Sequence, residues 1–186
     1  MTTAADRLFQ QCDPEIWIIT ARSGQHRSGL VATYVTRASI TQRPRIMIGL
    51  AHDHFTQNLI AESGAFCAHL ITEEQIDWVW RFGTSSGRSG DKLDDVEELP
   101  QEGPAPILAD ASGWLDCRVE TTLNAGDRMW YLADVVNSCC ETDFRPLTIG
   151  RVLELADNEM REKLDFQLAE DATVDQQAIT QWRVRR

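Results

Sequence analysis

Apolar and polar residues change rhythm several times along the chain, and each change marks an element. Residues 16–21, IWIITA, are rich in β-branched side chains and stop at Arg22, Ser23, Gly24 and Gln25, a polar break that predicts a hairpin turn. The strand after it is expected over residues 30–36, LVATYVT. Residues 46–50, IMIGL, form a near-continuous apolar run, which predicts a strand buried on both faces. A helix is expected over residues 54–63, ended by Gly64, and a strand over residues 65–71. Thr72 with Gln75 three residues on has the form of a capping box and opens a helix through Arg81. Residues 114–123 alternate, turn at residues 124–127 and continue as a partner strand over 129–137.

The ends and connections read differently. A short helix is expected within residues 2–11. Residues 83–90 are Ser- and Gly-rich and predict a loop, followed by a charged segment over residues 91–102. Leu147, Ile149, Val152, Leu153 and Leu155 precede a charged run, which predicts helix over residues 147–165. A polar helical stretch without a clear core stripe follows over about residues 161–186. The expected organisation is one domain over residues 1–150, with a helical extension over 151–186 packed on that domain or on a partner chain. Antiparallel hairpins with a few inserted helices fit a small β-barrel, where closure removes exposed strand edges.

Composition narrows the function classes. The chain has 186 residues, enough to bury a core of its own, and its formal net charge of −11 opposes nucleic-acid binding, which needs a basic face. The acidic residues 94–98 and the basic tail Arg183, Arg185 and Arg186 read as solvated surface. No apolar leader and no membrane-length apolar run is present, so a cytoplasmic protein off the membrane is expected. Five cysteines, odd in number and irregular in spacing, do not form a disulfide framework. Cys139 and Cys140 lack C-x-x-C spacing. His52 and His54 lack a third convergent ligand, so no metal site is expected. No P-loop, zinc-protease or nucleotide-fold fingerprint occurs.

The chemistry concentrates in residues 27–56. A glycine turn at Gly29 leads into Val31, Ala32, Thr33, Tyr34 and Thr36, and Ser39 and Ile40 precede Arg43 and Pro44. Small residues let backbone N–H groups approach a ligand, and the hydroxyls of Thr33, Thr36, Ser39 and Thr56 can bond a phosphate or a polyol. A flexible loop downstream carries Arg88 and Lys92, and a guanidinium is well shaped for bidentate phosphate contact.

Taken in order, these segments resemble the flavin reductase-like, FMN-binding split-barrel family. The resemblance rests on Ser28-Gly29-Leu30-Val31-Ala32-Thr33, Ser39-Ile40, Arg43-Pro44, His54-Phe55-Thr56, Phe82-Gly83, residues 86–92, residues 106–110 and Gly126-Asp127, spanning about residues 15–136. It implies a six-stranded antiparallel split barrel of Greek-key type, working as a homodimer with FMN at the barrel edge. The cofactor contacts it implies are Gly29, Val31, Ala32, Thr33, Tyr34, Thr36, Ser39 and Ile40 at the ring and ribityl side. His54 and Thr56 fall near the phosphate, and Arg88 and Lys92 beside a phosphate or a dinucleotide.

The family motif after Gly126-Asp127 usually continues with His, but this chain has Arg128. A guanidinium does not donate a proton at neutral pH, although it can hold an anionic substrate or donor. Two functions therefore stand open. One is an FMN-dependent oxidoreductase taking hydride from NAD(P)H and passing electrons to free flavin, a partner oxygenase or another acceptor. The other is an FMN-holding electron carrier, resembling a flavoredoxin, with no nicotinamide reaction of its own. A barrel that has lost its flavin is the third and bland alternative.

Overall fold

The computed structural model describes residues 3–100 and 103–185. Thr2 of the expected N-terminal helix, Glu102 of the charged segment and Arg186 of the basic tail lie outside them. The elements run α1 (Ala4–Phe9), β1 (Trp17–Ser23), β2 (His26–Ala32), β3 (Val35–Arg37), β4 (Arg45–Ala51), α2 (Phe55–Ser63), β5 (Ala65–Leu70), a 3-10 turn (Glu73–Gln75), α3 (Ile76–Gly83), β6 (Gly113–Asn124), β7 (Arg128–Cys140), α4 (Ile149–Leu155) and α5 (Asn158–Val184).

One curled antiparallel sheet of seven strands runs in the order β2-β1-β5-β6-β7-β4-β3. Six strands were expected. The seventh arises because the strand anticipated over residues 30–36 breaks at Thr33 and Tyr34. Its first part pairs with β1 (Ala32 opposite Trp17), its second with β4 (Val35 opposite Ile48). The long hairpin β6–β7 carries register shifts at Asp116/Cys117 and Val119/Thr121, and such bulges bend a sheet and increase its twist.

The main core lies inside the curl, built from Ile19, Leu30, Ile46, Ile48, Leu50, Phe66 and Tyr131, with Leu59 and Ile60 of α2. Along β4 the core takes Ile46, Ile48 and Leu50 while Met47 is half-buried. The apolar run there is thus a one-face pattern interrupted by small and flexible residues, rather than a strand filled on both faces. A second cluster behind β1 gathers Ile18, Ile71, Val79, Phe82, Leu93 and Leu108. Burial is energetically closed by paired polar groups: Gln57 Nε2 donates to the Tyr131 hydroxyl at 2.8 Å, and buried His69 bonds at both ring nitrogens.

Local signals set most helix ends. Thr3 and Thr72 each make a reciprocal capping box, and Gly64 ends α2 in the left-handed region at φ 67°. The helix expected over residues 147–165 is two helices. Ala156 is extended at ψ 134°, and the Asp157 carboxylate caps a new start by accepting from the Met160 N–H at 2.8 Å. From there α5 runs as a single helix to Val184, with Gln167 bonded to the Gly83 carbonyl and Asp175 to Arg128.

Candidate functional site

Thr33 and Tyr34 alone separate β2 from β3, yet those strands lie at opposite ends of the strand order. Those two residues cross the seam where the ends of the curled sheet meet. A cleft of about 250 Å³ opens there. Val31, Ala32, Thr33 and Tyr34 form one side, and Gly49, Leu50 and Ala51 of β4 the other. Val79, Phe82 and Gly83 wall it from α3, and Leu164, Gln167, Leu168 and Asp171 reach over it from α5.

A second lobe of about 260 Å³ shares Leu30, His54, Phe82, Gly83, Gln167 and Asp171 with the first. Its own lining is polar: Thr56, Thr84, Ser85, Ser86, Arg88, Lys92 and Asp53. An apolar lobe thus joins one with hydroxyls, two cations and two carboxylates.

Each cation is held in place by the fold. Lys92 Nζ donates to the carbonyls of Gly29 and Phe82, at 3.1 and 2.9 Å. Burial disfavours its charge and brings its pKa down to about 8. Arg88 donates to the Asp53 carbonyl at 2.6 Å and lies 5.7 Å from the Phe55 ring centroid, within cation–π range. Burial also lowers the His54 pKa, against the attraction of Asp53 and Asp171. Arg27 ties the loop to β2: it contacts Asp91 at 2.7 Å, Asp94 at 3.6 Å, and Glu98. Asp91 foremost, and Glu98 with it, raise the pKa of Arg27.

Arg128 sits at the other end of the cleft. Its guanidinium lies 4.6 Å from the Tyr34 ring centroid and pairs with Asp127 at 3.3 Å and with Asp175 of α5 at 2.7 Å. Burial raises the Asp175 pKa more than Arg128 lowers it.

Of the residues singled out in the sequence, Val31, Ala32, Thr33, Tyr34 and Arg128 line the apolar lobe, Thr56, Arg88 and Lys92 the polar one, and His54 both. Gly29 lines neither. The space over it is filled by Phe82, whose ring carbons would stand 2.8 Å from an added Cβ, so this glycine makes room for α3. Thr36, Ser39 and Ile40 also lie away from both lobes. The crossing at Thr33 and Tyr34 sends Thr36 into β3, where it is exposed. The Ser39 hydroxyl is spent on its own turn, accepting from Arg45 N–H at 3.0 Å and donating to the Arg43 carbonyl at 3.2 Å. Ile40 is 91% exposed. Unanticipated were Gly49, Val79 and the four residues of α5. The α5 residues do carry a signal, since Met160, Leu164, Gln167, Asp171, Asp175, Ala178 and Trp182 recur at helical spacing on one face.

The model of the flavin reductase like domain matches residues 11–157. The chain belongs to this flavin reductase-like family. Its curled antiparallel sheet with helices matches the family's split-barrel neighbours. A flavoredoxin from Methanosarcina acetivorans superposes with TM-score 0.65 at 20% identity, covering 72% of each chain. An NADH:FAD oxidoreductase from Streptomyces globisporus gives TM-score 0.68 at 18% identity, over 78% of this chain and 90% of the other. Among curated relatives, a putative diflavin flavoprotein from Synechocystis sp. is 26% identical over 121 residues, 64% of this chain. This flavin reductase-like chain spans about a fifth of the length of the diflavin relatives it matches. The donor set of its cleft fits a flavin, with apolar walls for a ring system and a hydroxyl-rich lobe, where Arg88 and Lys92 stand with Asp53 and Asp171, for a polar tail. Among the described residues no group of three metal-ligating side chains converges, and no helix is long and apolar enough to cross a membrane.

Proposed function

We propose that the chain holds FMN in the two-lobed cleft and acts as a flavin reductase-type oxidoreductase, with NAD(P)H as hydride donor. The observation that carries this reading is the continuity of the apolar seam lobe with the lobe containing Arg88 and Lys92. Backbone groups of Val31, Ala32 and Thr33 would hold the ring edge. Arg88, Lys92 and the Thr56 hydroxyl would hold the phosphate, with His54 between the lobes. Bound FMN supplies a two-electron centre that accepts hydride, and the protein contributes position, electrostatics and exclusion of water. Val31, Phe82, Leu164 and Leu168 give the cleft its dry walls. Lys92, charged below about pH 8, sets a positive potential where the phosphate would sit.

In this reading the electrons pass on to free flavin, a partner oxygenase or another acceptor. The protein works as a cytoplasmic homodimer, with residues 1–150 as the flavin domain and the helical segment from 151 as an extension of it.

One observation favours the second reading, an FMN-holding electron carrier like the flavoredoxin it resembles in fold. Arg128, which stands where a donor contact is expected, is already engaged by Asp127, Asp175 and the face of Tyr34. The deciding experiment is a visible absorption spectrum of the purified protein with FMN, before and after anaerobic NADH or NADPH. A protein-bound flavin band that bleaches supports the reductase. A bound band that stays oxidised supports the carrier, and the absence of a bound band sinks both.

A further inference from the structure

Helix α5 is 27 residues long, yet none of its residues is buried. Three contacts on one face hold it across the cleft. Gln167 Nε2 donates to the Gly83 carbonyl at 3.1 Å, and Asp175 accepts from Arg128 Nη2 at 2.7 Å. Trp182 packs onto the β6–β7 turn at Gly126. That turn needs glycine twice over, for its φ of +104° and because an added Cβ would stand 3.0 Å from Trp182. Positions 167, 175 and 182 fall about two turns apart, so the helix lies as a straight bar from α3 to the far hairpin.

Beneath that bar lie the two lobes, of about 250 and 260 Å³, and Leu164, Gln167, Leu168 and Asp171 of α5 line them, so the helix stands on the side from which a second ring would approach a flavin held there. A nicotinamide approaching a flavin in this cleft would meet Leu164 and Leu168, and Arg128 is already paired with Asp127 and Asp175.

We propose, resting on the flavin reading of this same cleft, that α5 is a specificity-determining cover latched by Asp175 and Trp182. While latched it holds dinucleotides off the flavin, so that hydride transfer from NAD(P)H waits on its release, whereas small reductants enter throughout. Reduction by NADH moves a hydride, two electrons with one proton, from the nicotinamide, leaves NAD⁺ and draws a second proton from solvent. Dithionite delivers two electrons without stacking.

The test uses the full chain and two variants, Asp175→Asn and Trp182→Ala, neither residue lining a lobe. Amide hydrogen exchange over residues 158–184 of the flavin-free chain is measured first. Loss of the Asp175–Arg128 contact in one variant, or of the Trp182 packing on Gly126 in the other, should speed it about tenfold while the strands stay protected. In the FMN-loaded chain, the anaerobic bleaching rate with NADH relative to dithionite should then rise about tenfold in both variants. Unchanged exchange overturns the latch. Faster exchange with an unchanged ratio, including no bleaching by NADH in any chain, overturns the cover as the specificity device. If none of the three chains binds FMN, the flavin reading itself falls and takes this proposal with it.

Discussion

Helices α2 and α5 face the same cleft and are built on opposite plans. The nine residues of α2 bury Thr56, Gln57, Leu59 and Ile60, whereas the 27 residues of α5 bury none. Length therefore says little about how firmly a helix is held. A short helix plugged into the core shares in the global stability. A long one resting on a few polar and edge contacts opens at a small fraction of that cost. The cleft has one wall of each kind.

The contrast can be broken most directly at Ile60, which is fully buried. Ile60→Ala should cost about 2–5 kcal/mol in urea unfolding, from lost transfer energy and the cavity left behind. A cost below 1 kcal/mol would place α2 in the same class as α5.

Next in size is a proton effect on the core side. Burial holds the His69 pKa down at about 4, from 6.5. The neutral ring accepts from Leu108 N–H at Nε2 and meets the Ile18 carbonyl at Nδ1, 3.0 and 2.9 Å away. A depressed folded pKa means that the unfolded chain binds more protons between pH 6.5 and about 4. The contribution is therefore complete above pH 6.5 and is lost as pH falls through that window, about 3 kcal/mol in all. NMR at pH 5 should find His69 neutral, and a charged ring there would contradict the burial argument.

Within the cleft, Lys92 is expected to contribute about 1.5–3 kcal/mol to FMN binding. Affinity for FMN relative to riboflavin, which lacks the phosphate, should fall as pH rises through about 8 and Lys92 loses its charge. A ratio flat from pH 7 to 9.5 would remove Lys92 from the phosphate lobe. From the α5 side, Asp171 opposes an anion in the same lobe. Asp171→Asn should tighten FMN by about 0.2–1 kcal/mol in a fluorescence titration and leave riboflavin unmoved. The smallest expected effect is Val174→Ala, on a side chain 52% exposed, within about 0.5 kcal/mol of wild type by thermal unfolding.

The same division governs what could be read from the chain alone. Residues whose partners are near in sequence announced themselves: the turn at Gly24, the capping box at Thr72 and Gln75, Gly64 after α2, and the β6–β7 hairpin. Val31, Ala32 and Thr33 could be placed in a common stretch because neighbouring residues share a seam edge. The break at Thr33 and Tyr34 was hidden, because LVATYVT has strand propensity throughout, and only sheet closure diverts its second half. Thr36, Ser39 and Ile40 followed that diversion away from the cleft. The α5 residues over the cleft went unseen for a related reason. Their stripe mixes Gln167, Asp171 and Asp175 with apolar residues, a pattern made by covering a polar cleft rather than filling a core.

The seam also sets an order of events. Hairpins β1–β2 and β3–β4 join residues close in sequence, but the ladder that unites the sheet pairs Arg45 with Asp134 across nearly half of the chain. Pairings of such separation bear the larger loop-closure entropy and form late. Until they form, Thr33 and Tyr34 are an ordinary linker between two hairpins, with nothing opposite them. The pocket exists only where the sheet has closed, so a ligand retained there picks out the molecules that have finished folding from those that have not.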